Sequence, residues 1–331
     1  MSTGLAARGW KVLKRVGGGR FSDVYLMSNP AQEGFEEKLY AVKVADPDDL
    51  RPPHNLRNEI KILKDLENVT NGNSDNVIRL IEVYVYGPEV SLVFEYYDLT
   101  LKQLLHSNIK KKTLFNPDGT MTTRTENKME LATVRQLMRG IFKGLYWIHQ
   151  CGIIHRDINL NNILLSSKDK NTPVIIDFGI AYEEPNNNGL ESPDRKFTDI
   201  ATGIFKAPEL LLSKRDYTNK VDMWAAGIIL SILVSEKGES FFELDSQYSD
   251  LVLLSNILKV FGSPPIDWSD CKGLDSFESL NSTFFKKQAK SLSEFLPRIE
   301  QATDLKTLFE GLTQYETKQR FSAEQCLELL G

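Results

Sequence analysis

The sequence predicts an α+β chain in two lobes: a small β-rich lobe with one main helix, then a larger helical lobe. Three observations predict it. Up to Tyr97 the chain shows short stretches rich in Val, Tyr and Phe, alternating or apolar, broken by Gly and Pro. From Leu99 on, apolar residues recur at helical spacing instead, as at Leu131, Val134, Leu137, Ile141, Leu145 and Ile148. The longest apolar run, Met223–Val234, has twelve residues. A membrane span needs about 20, so this run is expected to be a buried helix.

In chain order, residues 10–26 and 37–45 read as strands, with a glycine turn between Val16 and Phe21. Leu56, Ile60, Leu63 and Leu66 fall on one helical face, which predicts a helix over 54–67. Val77–Tyr86 and Val90–Tyr96 read as two more strands, split by Gly87-Pro88. Residues 107–130 are polar and basic, with Lys110-Lys111-Lys112 and Pro117-Asp118-Gly119, and are expected to be a solvated insertion with little regular structure. The helix beginning at Leu131 follows. Residues 183–196, with Pro185-Asn186-Asn187-Asn188-Gly189 and Ser192-Pro193, are expected to form a flexible loop. One domain over 10–330 is expected, with lobes at about 10–97 and 98–330.

Forty basic residues against forty-five acidic ones give a net charge of −5, which disfavours nonspecific binding to nucleic acid or to an anionic membrane. Cys151, Cys271 and Cys326 are an odd, widely spaced set, as expected in a reducing compartment. The first nine residues are small and polar and do not read as a secretory signal. The chain is therefore expected in the cytoplasm, the nucleus or both, as a monomer.

The chemistry-bearing segment is His155-Arg156-Asp157-Ile158-Asn159-Leu160-Asn161-Asn162, with Asp177-Phe178-Gly179 beginning fifteen residues after Asn162 and Ala207-Pro208-Glu209 further on. Upstream stand Val16-Gly17-Gly18-Gly19 and Ala41-Val42-Lys43-Val44. Gly17 and Gly19 leave room for backbone N–H groups to approach phosphate oxygens, although an ordinary hairpin turn is the competing reading. A buried Lys43 needs a partner acid, for which Glu59 is the candidate. The alternative is an exposed lysine on an edge strand.

Taken in order, these motifs resemble those of the protein kinases, over nearly the whole chain. The resemblance implies a bilobal protein kinase fold that uses ATP and Mg²⁺ to phosphorylate protein substrates. It implies that Asp157 orients the substrate hydroxyl, that Asn162 and Asp177 hold Mg²⁺, and that the Lys43–Glu59 pair positions the phosphates. It places Val16, Gly17, Gly18, Gly19, Val24 and Ala41 around the nucleotide. Phe94 would close the back of the pocket, with the backbone of Glu95 and Tyr97 at the adenine edge. Thr202, five residues before Ala207, resembles the threonine that serine/threonine kinases bond to the catalytic aspartate. Glu209 with Arg320, and Asp222, are implied as structural braces, and His155 as a packed residue.

Asn159 stands where such kinases carry a lysine that contacts the γ-phosphate. It would lend the phosphate a hydrogen bond without charge, so Asn159→Lys is expected to speed transfer. Arg156 is expected to bind an anion from the activation segment. One reading supplies it by phosphorylation of Thr198; the other leaves Thr198 as a packing or capping residue, with Asp199 supplying charge.

Asp250-Leu251-Val252 and Ile257–Trp268 are similar to the insert of cyclin-dependent and related (CMGC) kinases. Pro52–Glu59 and Phe197–Glu209 resemble the fungal single-chain CDK-activating kinases. That resemblance implies phosphorylation of the activation-loop threonine of cyclin-dependent kinases, without a cyclin. Another CMGC-like kinase and a pseudokinase scaffold, the latter suggested by Asn159 and Ser22, are the alternatives.

Overall fold

The structure, a computed structural model, describes residues 5, 9–19, 21–29, 38–49, 51–68, 75–115, 118–166, 169–184, 190–242, 249–280 and 287–331. Strands β1 (Lys11–Gly18), β2 (Asp23–Ser28), β3 (Leu39–Ala45), β4 (Leu80–Tyr86) and β5 (Glu89–Glu95) form one antiparallel sheet in the order β1-β2-β3-β5-β4. Strand β3 is therefore central. Helix α1 (Leu56–Asn68) buries Leu56, Leu63 and Leu66 of the predicted face, with Ile62 beside them, while the predicted Ile60 is half-buried. Its Glu59 is buried with them.

The fourth strand begins at Leu80, not Val77. Val77 and Ile78 reach down to the larger lobe instead, where Val77 bridges Ile175 and the Ile78 N–H donates to the Ile175 carbonyl. Apolar content alone cannot distinguish a strand from this interlobe tie.

The larger lobe opens with β6 (Leu99–Thr100) and α2 (Leu101–Ser107), whose N-terminus Thr100 and Gln103 close with a capping box. The expected unstructured insertion is instead a hairpin of β7 (Ile109–Phe115) and β8 (Met121–Asn127), paired without a break from Ile109↔Asn127 to Phe115↔Met121. The β-branched threonines of β8 suit a strand. At the turn, the N–H and hydroxyl of Thr120 donate to the Asp118 carboxylate, and Gly119 takes a φ of 80°. The run of lysines hid this alternation. Residues 116 and 117 lie outside the described residues.

Helix α3 (Leu131–Gln150) follows, then the short strands β9 (Ile153–Ile154), β10 (Ile163–Leu165), β11 (Val174–Ile175) and β12 (Tyr182–Glu183). These pair as β11-β10-β6 and β12-β9, which fixes the ends of the loop 155–162. Next come α4 (Pro208–Leu211), α5 (Lys220–Val234), α6 (Asp250–Phe261), α7 (Asp275–Leu280), α8 (Leu292–Phe295), α9 (Thr303–Leu312) and α10 (Ala323–Leu330). Every residue of α5 from Val221 to Val234 is buried, as the apolar run predicted. Among the described residues no helix is long and apolar enough to cross a membrane.

The loop expected to be flexible over 183–196 is anchored at several points, although Leu190 and Pro193–Arg195 are exposed. Glu183 lies in β12, and Glu191 and Lys196 are buried. Residues 185–189 lie outside the described residues.

Candidate active site

The loop 155–162 hangs between β9 and β10 and is held from beneath by α5. The Asp222 carboxylate accepts the backbone N–H of His155 at 2.9 Å and of Arg156 at 2.8 Å, and meets His149 Nε2 at 2.9 Å. Burial alone would raise its pKa, but these contacts outweigh that and hold it below the usual carboxylate range. His155 is packed, as expected: its Nε2 meets the Ile176 carbonyl at 2.9 Å and its ring lies 5.0 Å from that of the buried Phe178.

Asp157 receives two side chains. Thr202 donates its hydroxyl to Oδ1 at 2.7 Å, and Asn162 Nδ2 donates to Oδ2 at 2.7 Å. Burial pushes the Asp157 pKa up, against the hydrogen bonds from Thr202 and Asn159. Thr202 thus stands where the sequence placed it.

Asn159 is buried in the loop, where its amide also acts on the Asp157 carboxyl and lowers its pKa. It is 3% exposed; its Oδ1 accepts the N–H groups of Asn161 (2.8 Å) and Asn162 (3.2 Å), and its Nδ2 donates to the Asp157 carbonyl (3.1 Å). The amide expected at the phosphates is used up bracing the loop itself, an Asx turn that holds Asp157 and Asn162 in register.

Across the cleft, Lys43 lies on the central strand, opposite Val24 and Leu92, so the edge-strand reading does not hold. Its Nζ is 2.8 and 2.9 Å from the Glu59 carboxylate oxygens and 3.0 Å from Asp177 Oδ1. Burial works against this ammonium, but the two carboxylates outweigh it and hold Lys43 above the ordinary lysine range. The same ammonium holds Asp177 low. A Cβ on Gly179 would lie 3.2 Å from Asp177 Oδ1 and 3.5 Å from Glu59 Oε2, so a side chain there would crowd the cluster. Asp177 itself has a φ of 68°, a strained conformation for a non-glycine residue.

Helix α1 is tied to the same segment by the chain's own groups. The Asn55 N–H donates to the Gly179 carbonyl at 2.9 Å, Asn58 Nδ2 donates to the Ala181 carbonyl at 3.1 Å, and Lys61 pairs with Glu183.

Gly17 and Val24 face each other where β1 meets β2, and the Gly19 N–H closes the turn onto the Ser22 carbonyl at 2.9 Å. Gly18 has a φ of 144°, and a Cβ there would lie 2.5 Å from Arg15 Nη2. The glycines therefore do build a tight hairpin, with Val16 39% exposed before it and Gly19 in open space. Ala41 pairs with Phe94, next to Glu95 at the end of β5, with Tyr97 two residues beyond it. Sequence spacing gave no signal for His54, whose ring lies 4.9 Å from that of Phe21 at the hairpin's mouth.

Arg156 binds an anion of the activation segment, as expected, but the anion is the Glu191 carboxylate and not a phosphate on Thr198 or the Asp199 side chain. Arg156 is 2% exposed and its guanidinium is fully engaged within the chain. Nη1 and Nη2 fork onto Glu191 at 2.6 and 3.1 Å, Nη1 also reaches the Tyr217 hydroxyl at 3.2 Å, and Nε donates to the Ile180 carbonyl. Glu191 Oε1 also accepts the Phe197 N–H at 2.8 Å. A carboxylate already sits where the phosphorylation reading would put a phosphate on Thr198, which favours the reading of Thr198 as a packing or capping residue. The sequence carried no sign of this partner 35 residues away.

Asn162, with Nδ2 turned to Asp157, presents its carbonyl oxygen, and Asp177 has Oδ2 beside the oxygen bonded to Lys43. Among the described residues no group of three or more His, Cys, Asp or Glu side chains forms a metal cage. Two hard oxygens fit an ion such as Mg²⁺, which keeps waters and shares phosphate oxygens.

The pieces of a phosphoryl-transfer site thus come together around one cleft. A family model described as "Protein kinase domain" matches residues 10–329. The chain is 26% identical to "Serine/threonine-protein kinase CAK1" of Saccharomyces cerevisiae, over 89% of this chain and 93% of that protein. It is 28% identical to "Cell division control protein 2 homolog 3" of Trypanosoma brucei brucei, over 95% and 88%. It is 29% identical to "Cyclin-dependent kinase B2-1" of Arabidopsis thaliana, over 96% and 91%. The chain therefore belongs to the protein kinase family, as an ATP-dependent serine/threonine kinase of CMGC-like type that resembles CAK1.

Proposed function

We propose that this kinase phosphorylates the activation-loop threonine of cyclin-dependent kinases, acting as one catalytic domain over residues 10–330 without a cyclin of its own, in the cytoplasm, the nucleus or both. The observation that carries the reading is the tie between α1 and the segment after Asp177, made by Asn55, Asn58 and Lys61. It holds the Lys43–Glu59 pair closed with no second chain. The similarity to CAK1 along most of both chains points the same way.

In the transfer step, Asp157 orients the threonine hydroxyl and takes its proton as the oxygen bonds to the γ-phosphorus and the bond to ADP breaks. Thr202 and Asn162 hold that carboxylate in place. Lys43, set by Glu59, grips the α- and β-phosphates. Asn162 and Asp177 would hold Mg²⁺, which neutralises charge on the phosphates when bound. Val16, Gly17, Gly18, Gly19, Val24, Ala41 and Phe94 shape the nucleotide pocket, with the backbone of Glu95 and Tyr97 at the adenine edge.

The test is to incubate the purified protein with an unphosphorylated cyclin-dependent kinase, ATP and Mg²⁺, and to map the phosphate added. Modification of the activation-loop threonine is expected. Strong activity on other proteins with none at that threonine would favour a different CMGC-like substrate.

A further inference from the structure

The β7–β8 hairpin takes no part in the site, yet it is built and mounted with care. An isolated two-stranded hairpin is marginal in water. This one is clamped at its root: buried Asn127 donates Nδ2 to the carbonyls of Leu233 and Ser235, each at 2.9 Å, and its N–H to Glu236 at 2.7 Å. Ile109, opposite Asn127, packs so closely on Gly238 that a Cβ there would lie 2.8 Å from Ile109 Cδ1. Beyond the root the arm is exposed and adds nothing to the core.

The register sorts its side chains by face, because directly opposed residues share one face and alternate pairs the other. One face carries, from root to tip, Lys110 opposite Glu126, Lys112 opposite Arg124, and Leu114 opposite Thr122. Lys112 and Arg124 are like charges set directly opposite, an arrangement that costs stability. Glu126 pairs with Lys128 and also sits in the field of Lys112 and Arg124, so it offsets only part of the charge of the three cations on this face. The face therefore keeps an excess of positive charge on a chain whose net charge is −5, and it ends in an apolar tip, with Leu114 49% exposed. Phe115 and Met121, 79% and 66% exposed, extend that tip on the other side.

We propose that this face docks an acidic segment of the kinase's protein substrate, away from the phosphorylated residue. The cations meet the segment's carboxylates and the tip meets an adjoining apolar residue. The occupant relieves the repulsion between Lys112 and Arg124. Nucleic acid fits less well: the cations are confined to one short arm, whereas a protein bound through its phosphates spreads about 6–10 contacts. The inference rests on the kinase assignment and is independent of which protein is phosphorylated.

The test uses the full chain and a fluorescein-labelled dodecapeptide of Glu and Asp ending in Leu-Phe, with oligouridylate as the competing probe. Wild type is expected to bind the peptide, and Arg124→Glu to weaken binding by about tenfold, as the loss of a hot-spot charge does. That substitution turns the like pair with Lys112 into an opposite pair, and an unchanged melting temperature and unchanged turnover of an unfused peptide substrate separate lost binding from a weaker fold. Lys112→Arg should bind as wild type. Appending the dodecapeptide to the peptide substrate should lower KM without changing kcat, and Arg124→Glu should erase that gain. No binding by wild type, equal binding by Arg124→Glu, or displacement of the peptide by tighter-binding oligouridylate would each overturn the proposal.

Discussion

At the scale of single residues, Asn159 is the most informative departure. A lysine at its place would bring charge to the phosphates, but the amide is spent on the N–H groups of Asn161 and Asn162 and on the Asp157 carbonyl. Asn159→Lys is therefore expected to slow single-turnover transfer, because two N–H groups lose their acceptor and Asp157 and Asn162 lose their brace. A displacement of about 1 Å in such a site costs up to roughly a hundredfold; a faster variant would show that charge matters more than the turn. Asp157 gives a second expectation. The active form is the carboxylate, and burial raises its pKa, so kcat/KM is present above that raised pKa and falls as the pH drops through it. Thr202 donates to the ionised form, so Thr202→Ala should move the acid limb to higher pH in a kcat/KM profile. An unmoved limb would detach Thr202 from that titration. Asp157, Asn162 and Asp177 were legible because their chemistry is tied to chain spacing. The direction of the Asn159 amide was not, since it depends on a rotamer that spacing does not fix.

At the scale of elements, the activation segment is locked by an internal acid. Arg156 and Glu191 form a forked, buried pair, and Glu191 also caps the Phe197 N–H. Removing one partner of a buried pair costs about 3–5 kcal/mol and leaves a charge stranded. Glu191→Ala should therefore lower both the melting temperature and the phosphorylation rate. Thr198→Ala should keep full activity in the same assay, and a loss there would restore the phosphorylation switch. The helices were legible where apolar periodicity is strong, as in α1, α3 and α5. The hairpin and the lower part of the expected fourth strand were misread for one reason: the partners that decide them lie across the fold. Cross-strand threonines make β7 and β8 a ribbon, and Ile175 draws Val77 and Ile78 away from the sheet.

At the scale of the whole molecule, the α+β two-lobe reading describes the chain, and α5 explains how the lower lobe holds the site. That helix is buried along nearly its full length and carries Asp222 up to the catalytic loop. The fully buried Glu209–Arg320 pair, at 2.7 and 3.0 Å, fixes the segment after Thr202 to the far end of the lobe. Above, the central strand delivers Lys43 to within 3.0 Å of Asp177 on the lower lobe, so the two halves meet at one cluster of charge. The most direct measurement of this convergence is transfer of labelled γ-phosphate from ATP and Mg²⁺ to serine and threonine of a protein substrate, by wild type and by Asp157→Ala. Wild type should transfer phosphate, and the variant should lose about a hundredfold or more of the rate while still folding. Equal transfer by the two proteins, or none by wild type, would contradict the account.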